Sequence, residues 1–302
     1  MPMNGDAKRL NLSAGLASVT VAGTLVLLKL WALAQTGALS IAASLADSAM
    51  DAMVSMAAMA AILYAAKPAD DDHQFGHTAA EDLASLGQAL FIGISAVVIS
   101  VASIRRLIDP QPVELQSEGP GMIVMGISIL LTLGLVVWQG RVAARTKNKV
   151  VAADRLHYLG DLLPNIGAVI SLWASRQFGL MIIDSIVALV AAAVMLLGAV
   201  KIGRGAWHAL MDRQADPEII TGIETLIREW PGVMGYHDVK TRFSGSRVFI
   251  QIHIELEGSL LLRDAHDISA GLRRTILLAY PQADVIIHKD VYHPRPAPQS
   301  TQ

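Results

Sequence analysis

The sequence predicts a membrane protein of two parts, an all-α bundle of six transmembrane helices followed by a C-terminal cytoplasmic α+β domain. Three observations carry this. The 302 residues are 53% apolar and only 17% charged, where an ordinary soluble domain carries about a quarter charged residues. The charge is unevenly spread: between Leu10 and Ala66 the only charged residues are Lys29, Asp47 and Asp51, and 83–104, 120–140 and 185–200 hold none. Beyond Met211 charge returns at ordinary density and the apolar pattern changes to short alternating runs. The formal net charge is −2 with no basic block, which excludes a nucleic-acid binder. Cysteine is absent, so disulfides, thiolate nucleophiles and Cys-type zinc fingers are excluded and any metal site must use His, Asp or Glu.

A bilayer span needs about 20 mostly apolar residues. By that rule helices are expected at about 10–34, 39–66, 79–108, 119–145, 150–176 and 180–208. They break at Gln35-Thr36-Gly37, Lys67-Pro68, Asp109-Pro110-Gln111-Pro112, Thr146-Lys147-Asn148-Lys149 and Gln177-Phe178-Gly179, each holding the Gly, Pro or charge that ends a helix. The first segment is too long for a signal-peptide core and reads as a retained span. Basic residues Lys8-Arg9, Lys67, Arg141, Arg145, Lys147, Lys149, Lys201 and Arg204 fall on one side of six alternating spans, against Arg105-Arg106 and Arg176 on the other. The excess puts both termini in the cytoplasm. Downstream, Pro217–Trp230 has helical spacing, Tyr236–Arg242 and Val248–Leu256 flank a Ser244-Gly245-Ser246 turn, and Asp264–Tyr280 and Asp284–Val291 read as helix and strand. The order is α-β-β-α-β. The expected division is an N-terminal tail at 1–9, a transmembrane domain at 10–208, a cytoplasmic domain at 209–293 and a disordered Pro/Gln/Ser-rich tail at 294–302.

Ionisable residues within spans mark functional pathways by default, because each costs several kcal/mol there. Asp47 and Asp51 stand four apart in the second span, and His157 and Asp161 four apart in the fifth, so each pair shares a helix face. Together they offer an imidazole and three carboxylates, enough for a tetrahedral shell around a zinc-like ion. The competing reading is that these groups merely pair with cations of the bundle. The candidates are few: Lys29 reads as lying toward the opposite end of its helix, and Arg155 near the cytoplasmic end of its own. Asp154 and Asp184, near span ends, read as solvated. The loop Asp70-Asp71-Asp72-His73-Gln74-Phe75-Gly76-His77 is either a solvated acidic turn or a divalent-ion site, and spacing alone leaves both open. In the C-terminal part His253 lies on the polar face of its strand, His288 and Asp290 share a face, and His237 and His266 sit on neighbouring elements. Singly each reads as a surface histidine; together they favour a second metal site. His208 and His293 read as structural or surface residues.

The segments Ser44–Asp51, Asp72–His77 and Asp154–Asp161 resemble the cation diffusion facilitator family, most closely its bacterial YiiP/FieF-type zinc and iron transporters. Trp230-Pro231-Gly232-Val233, Gln251-Ile252-His253 and Asp284–His288 resemble the same proteins, so the likeness spans nearly the whole chain. It implies a homodimeric, non-enzymatic antiporter of the bacterial inner membrane. Its cytoplasmic domain would be ferredoxin-like (metallochaperone-like), and it would export divalent metal ions in exchange for protons. Carried over, Asp47, Asp51, His157 and Asp161 form the transport site, Asp70, His73 and His77 a loop site, and His237, His253, His266, His288 and Asp290 a cytoplasmic binuclear site. Relatives often carry a Lys two residues after the second loop His, pairing across the dimer with the Asp that matches Asp212; here that position is Ala79.

A mixed nitrogen and oxygen shell suits Zn2+, with cadmium, cobalt and iron as further candidates. Two other classes compete. A membrane metallohydrolase would want an open metal position and a motif such as His-Glu-x-x-His, which is missing. A membrane-anchored metal sensor or scaffold, signalling through its cytoplasmic domain, would not need acids in the second and fifth spans.

Overall fold

The computed structural model describes the backbone of residues 5–36, 39–108, 119–178 and 183–293. Side chains are described for these except at 5, 36, 39–44, 46, 119–122, 125, 164–178, 183 and 184. The expected breaks at Gly37 and at Asp109–Pro112, the side chain of Asp184 and the tail at 294–302 lie outside the described residues. The chain forms two compact units, one of residues 5–208 and one from Ala209 onward.

The first unit holds six long helices: α1 (Gly5–Thr36), α2 (Leu39–Ala65), α3 (Ala79–Ile108), α4 (Gly119–Thr146), α5 (Lys149–Phe178) and α6 (Ile183–Leu210). Helix α1 begins five residues before the expected apolar run, with Asp6 in its first turn, where a carboxylate offsets the positive end of the helix dipole. Among the described residues, stretches of α1, α2, α3, α4 and α6 are long and apolar enough to cross a membrane. Helix α5, whose side chains are described only over 149–163, carries Asp154, Arg155, His157 and Asp161 within eight residues. The unit is apolar outside and small or polar within. Leu30, Ile94, Leu130 and Leu197 are all at least half exposed, a surface suited to hydrocarbon rather than water. Ala14, Ala22, Ala58, Ala96 and Ala192 are buried, and small residues let membrane helices approach closely.

A polar knot joins four of these helices. Ser18 Oγ of α1 and Gln139 Nε2 of α4 each donate to Asp154 Oδ2 of α5 at 2.6 Å. Ser55 Oγ of α2 lies 2.7 Å from the Tyr158 hydroxyl and 2.9 Å from Ser18 Oγ. All five side chains are essentially without solvent contact. Asp154 is therefore not a solvated span-end residue as its position suggested; it is the acceptor at the centre of the bundle. A second tie lies at the start of α5, where Lys149 Nζ meets Asp82 of α3 at 2.7 Å and the Gly205 carbonyl of α6 at 3.3 Å. Asn148 caps α5 by accepting the Val151 N–H at 3.0 Å.

The second unit is the expected α-β-β-α-β domain: α7 (Pro217–Arg228), β1 (Gly235–Ser244), β2 (Arg247–Leu256), α8 (Leu262–Ala279) and β3 (Ala283–Val291). The sheet order is β1-β2-β3, with β1 antiparallel and β3 parallel to β2. A parallel neighbour requires a crossover, which α8 supplies. Val248, Ile250, Ile252, Ile254 and Leu256 are all buried, packed with Ile223 and Ile227 of α7 and Leu272 and Ile276 of α8. Both helices thus cover one sheet face and leave the other open.

Removing the Asp154 carboxylate strands the Gln139 donor and takes one acceptor from Ser18, at about 1–3 kcal/mol for a buried group left without an acceptor. Asp154→Ala should therefore lower the thermal midpoint of the detergent-solubilised protein well below that of Asp71→Ala, an exposed loop substitution; equal midpoints would refute the knot's role.

Candidate metal centres

Three groups of His and Asp come together in the structure. In the helical unit, Asp51, His157 and Asp161 offer ligand atoms within 4.8 Å of one another. His157 Nε2 lies 3.2 Å from Asp51 Oδ1 and 3.9 Å from Asp161 Oδ2. The helix repeat does this work: residues four apart on α5 share a face, and that face meets Asp51 of α2. His157 is buried, with Phe91 set edge-on to its ring at 5.9 Å. Asp47, expected as a fourth ligand, is exposed and outside this group. It shares the face of Asp51 but stands about 6 Å further along the helix axis. Lys29 corrects a second expectation. Its Nζ donates to Ser48 Oγ at 2.6 Å, so its head group reaches the α2 segment between Asp47 and Asp51 rather than the far end of the bundle.

In the loop between α2 and α3, Asp70, His73 and His77 gather as expected. Asp70 Oδ1 lies 3.2 Å from His73 Nδ1, and Oδ2 lies 3.2 Å from His77 Nε2. The turn is built by backbone: the His73 N–H donates to Asp70 Oδ1 at 2.7 Å, which holds the Asp70 carboxyl below the usual carboxylate range. His77 is 4% exposed and its Nδ1 finds no hydrogen-bond partner among the described residues. Tyr64 sits edge-on to its ring at 4.7 Å.

On the open face of the sheet, strand register places one histidine on each strand in a single row. His237 pairs with His253, and His253 with His288. His253 Nδ1 lies 2.8 Å from Asp290 Oδ2, His237 Nε2 is 3.4 Å from the same oxygen, and His288 Nε2 is 3.2 Å from Oδ1. The His253 contact, first among these, holds the Asp290 carboxyl below its usual range. A bulge aims His237. The β1 register slips between His237 and Lys240, and Asp238 takes a φ of 49°. The extra residue lets Tyr236, Val239 and Phe243 all pack on the core while His237 faces the open side, which strict alternation forbids.

Glu255, which the sequence did not single out, completes the arrangement. Its Oε1 is 3.0 Å from His237 Nδ1, the position of an outer-shell carboxylate that fixes an imidazole's orientation. It leans over Gly235, where a Cβ would collide with the Glu255 carboxylate. His266 is not brought to this row. It lies on α8, behind the sheet, lining a groove with Ser269, Arg273 and Lys289. Asp212, which lacks a Lys at position 79 to meet, has a φ of 53° and bonds Arg242 Nη1 at 3.0 Å within its own unit.

The sequence profile of the cation efflux transmembrane domain matches residues 15–211, and that of the cation efflux protein cytoplasmic domain matches residues 215–292. The chain belongs to the cation diffusion facilitator family. The cation-efflux pump FieF of Klebsiella pneumoniae is 38% identical over 297 residues, covering 98% of each chain. The protein of that name from Escherichia coli is 38% identical over 288 residues, covering 95% of each. A solved structure described as the metal-bound C-terminal domain of the CzcD transporter from Thermotoga maritima is 28% identical. It covers 24% of this chain and 87% of its own, with a TM-score of 0.24. Family membership makes the chain a multi-pass membrane protein among metal cation efflux transporters, and the three clusters fall inside the two matched regions.

The depressed Asp290 carboxyl yields a pH prediction. A carboxylate whose folded pKa is lowered contributes stability that is full above its unfolded value, near 3.9. That contribution is lost as pH falls through the lower folded value. His253→Ala removes the main cause, so the Asp290 carboxyl signal in NMR should titrate at higher pH than in the wild type; an unmoved titration would show that His253 does not hold it.

Proposed function

We propose that this chain exports divalent metal ions, zinc foremost, from the cytoplasm in exchange for protons, by alternating access. The observation that carries the reading is the Asp51, His157 and Asp161 cluster inside a helical unit whose outer surface is apolar. Carboxylate and imidazole lone pairs accept a metal ion or a proton but not both, so metal binding releases protons and protonation releases metal. An imidazole among carboxylates favours Zn2+ over the all-oxygen preferences of Mg2+ or Mn2+. Cadmium, iron and cobalt are accommodated by the same shell. In this reading Asp47 joins the shell when the metal is bound, its helix face already being shared with Asp51. A closed four-ligand shell suits carriage of an ion rather than hydrolysis at an open position.

The protein is proposed to sit in the bacterial inner membrane with both termini cytoplasmic, following the loop basic residues. It is proposed to work as a homodimer. Asp70, His73 and His77 are proposed as a loop metal site, and His237, His253, His288 and Asp290 as a cytoplasmic one with a structural or regulatory role. His266 belongs to the cytoplasmic site only if a second copy presents it, since its own chain keeps it behind the sheet. Asp212, already bonded to Arg242, is not proposed as half of an inter-subunit charge pair.

Zinc uptake into sealed proteoliposomes under an imposed pH gradient should be robust for the wild type and lost in Asp51→Ala; equal uptake by the variant would remove Asp51 from the pathway. His157→Asp should retain transport but shift competition toward harder ions such as Mn2+. An unaltered competition profile would exclude His157 as a ligand.

A further inference from the structure

Lys29 is the one basic residue between Leu10 and Ala66, and an ammonium within a span costs several kcal/mol unless it is compensated. The structure shows where it goes. From α1 its Nζ donates to Ser48 Oγ at 2.6 Å. Ser48 is 1% exposed and lies on α2 between Asp47 and Asp51. The ammonium is thereby held beside the α2 segment that carries Asp47 and Asp51, and Asp51 gathers in turn with His157 and Asp161, the acids of the proposed transport site. Three carboxylates at −1 each and one ammonium at +1 leave two negative charges, which one divalent ion neutralises. Without Lys29 the same acids would carry −3, and a bound divalent ion would leave an uncompensated charge among apolar helices.

An ammonium has no lone pair to give a metal, so it contributes charge without entering the coordination shell. It attracts the carboxylates when the site is empty and repels the metal when the site is filled. Both effects act in one direction, weakening the hold on the cargo and easing its release. We propose that Lys29 is a tethered counter-cation of the transport site, a positioning residue that matches the cluster's charge to a divalent ion and keeps its affinity low enough for turnover. This rests on the transport reading above.

The test is zinc flux through the full-length chain in proteoliposomes, with pH fixed on both sides, for wild type, Lys29→Met and Lys29→Arg. Lys29→Met should lower the KM for zinc by about tenfold or more, given a unit charge removed at short range in a medium of low dielectric. Its maximal rate should fall as release slows. Lys29→Arg keeps the charge and should stay within about threefold of wild type in both, a spread of about 0.7 kcal/mol. A merely structural role would lower the rate of both variants without tightening KM. Lys29→Gln carries the same prediction as the Met variant and keeps a donor for Ser48, should Lys29→Met fail to assemble. An unchanged or raised KM in the assembled neutral variant overturns the proposal while wild-type flux still stands; absence of zinc flux in the wild type overturns the transport reading itself.

Discussion

Ionised carboxylates cannot stand unneutralised among apolar helices, and the helical unit is arranged around that constraint. Asp51 and Asp161 meet across α2 and α5 with His157 between them, while Lys29 leans in from α1 through Ser48. A cluster with this charge is stable only with a cation present, whether a proton, a metal ion or the lysine itself. The proposed transport cycle exchanges the first two, with the tethered lysine as a fixed partner. The mixed ligand set and the absence of cysteine have one consequence in common: nitrogen and oxygen ligands give up a metal to protons more readily than thiolates do.

The surrounding structure holds this cluster without filling it. The knot of Ser18, Ser55, Gln139, Asp154 and Tyr158 joins α1, α2, α4 and α5 within a turn of Asp51 and His157, so a ligand pair on two helices keeps its spacing. Helices α3, α5 and α6 are tied separately through Lys149. In the second unit the equivalent support is backbone register. Three strands bring His237, His253 and His288 into one row, and a bulge with Glu255 behind it sets the first of them.

Much of this was legible in the sequence because it depends on local periodicity. The four-residue spacing of His157 and Asp161, the alternation from Val248 to Leu256, and the gaps in charge each dictate a face or a span directly. The four site residues on the sheet follow from strand parity, apart from His237, whose facing depends on a bulge that no pattern announced. What the sequence could not give depends on long side chains and on tertiary packing. Lys29 reads as remote when its place is counted along its own helix, yet α2 returns Ser48 to within 2.6 Å of its Nζ. Asp154 reads as solvated because it lies near a span end, yet neighbours from α1 and α4 bury it. Asp47 and His266 fit their motifs but stand apart from their clusters, since a shared face or neighbouring element does not fix where a ligand atom ends up.

The central claim is that metal and protons compete for one set of ligands in the helical unit. The measurement closest to it records internal zinc and internal pH together in the same sealed vesicles when zinc is added outside with no initial pH gradient. Zinc entry accompanied by a rise in internal pH, both absent in Asp51→Ala, is the predicted result. Zinc entry that leaves the internal pH unchanged in the wild type would contradict the account.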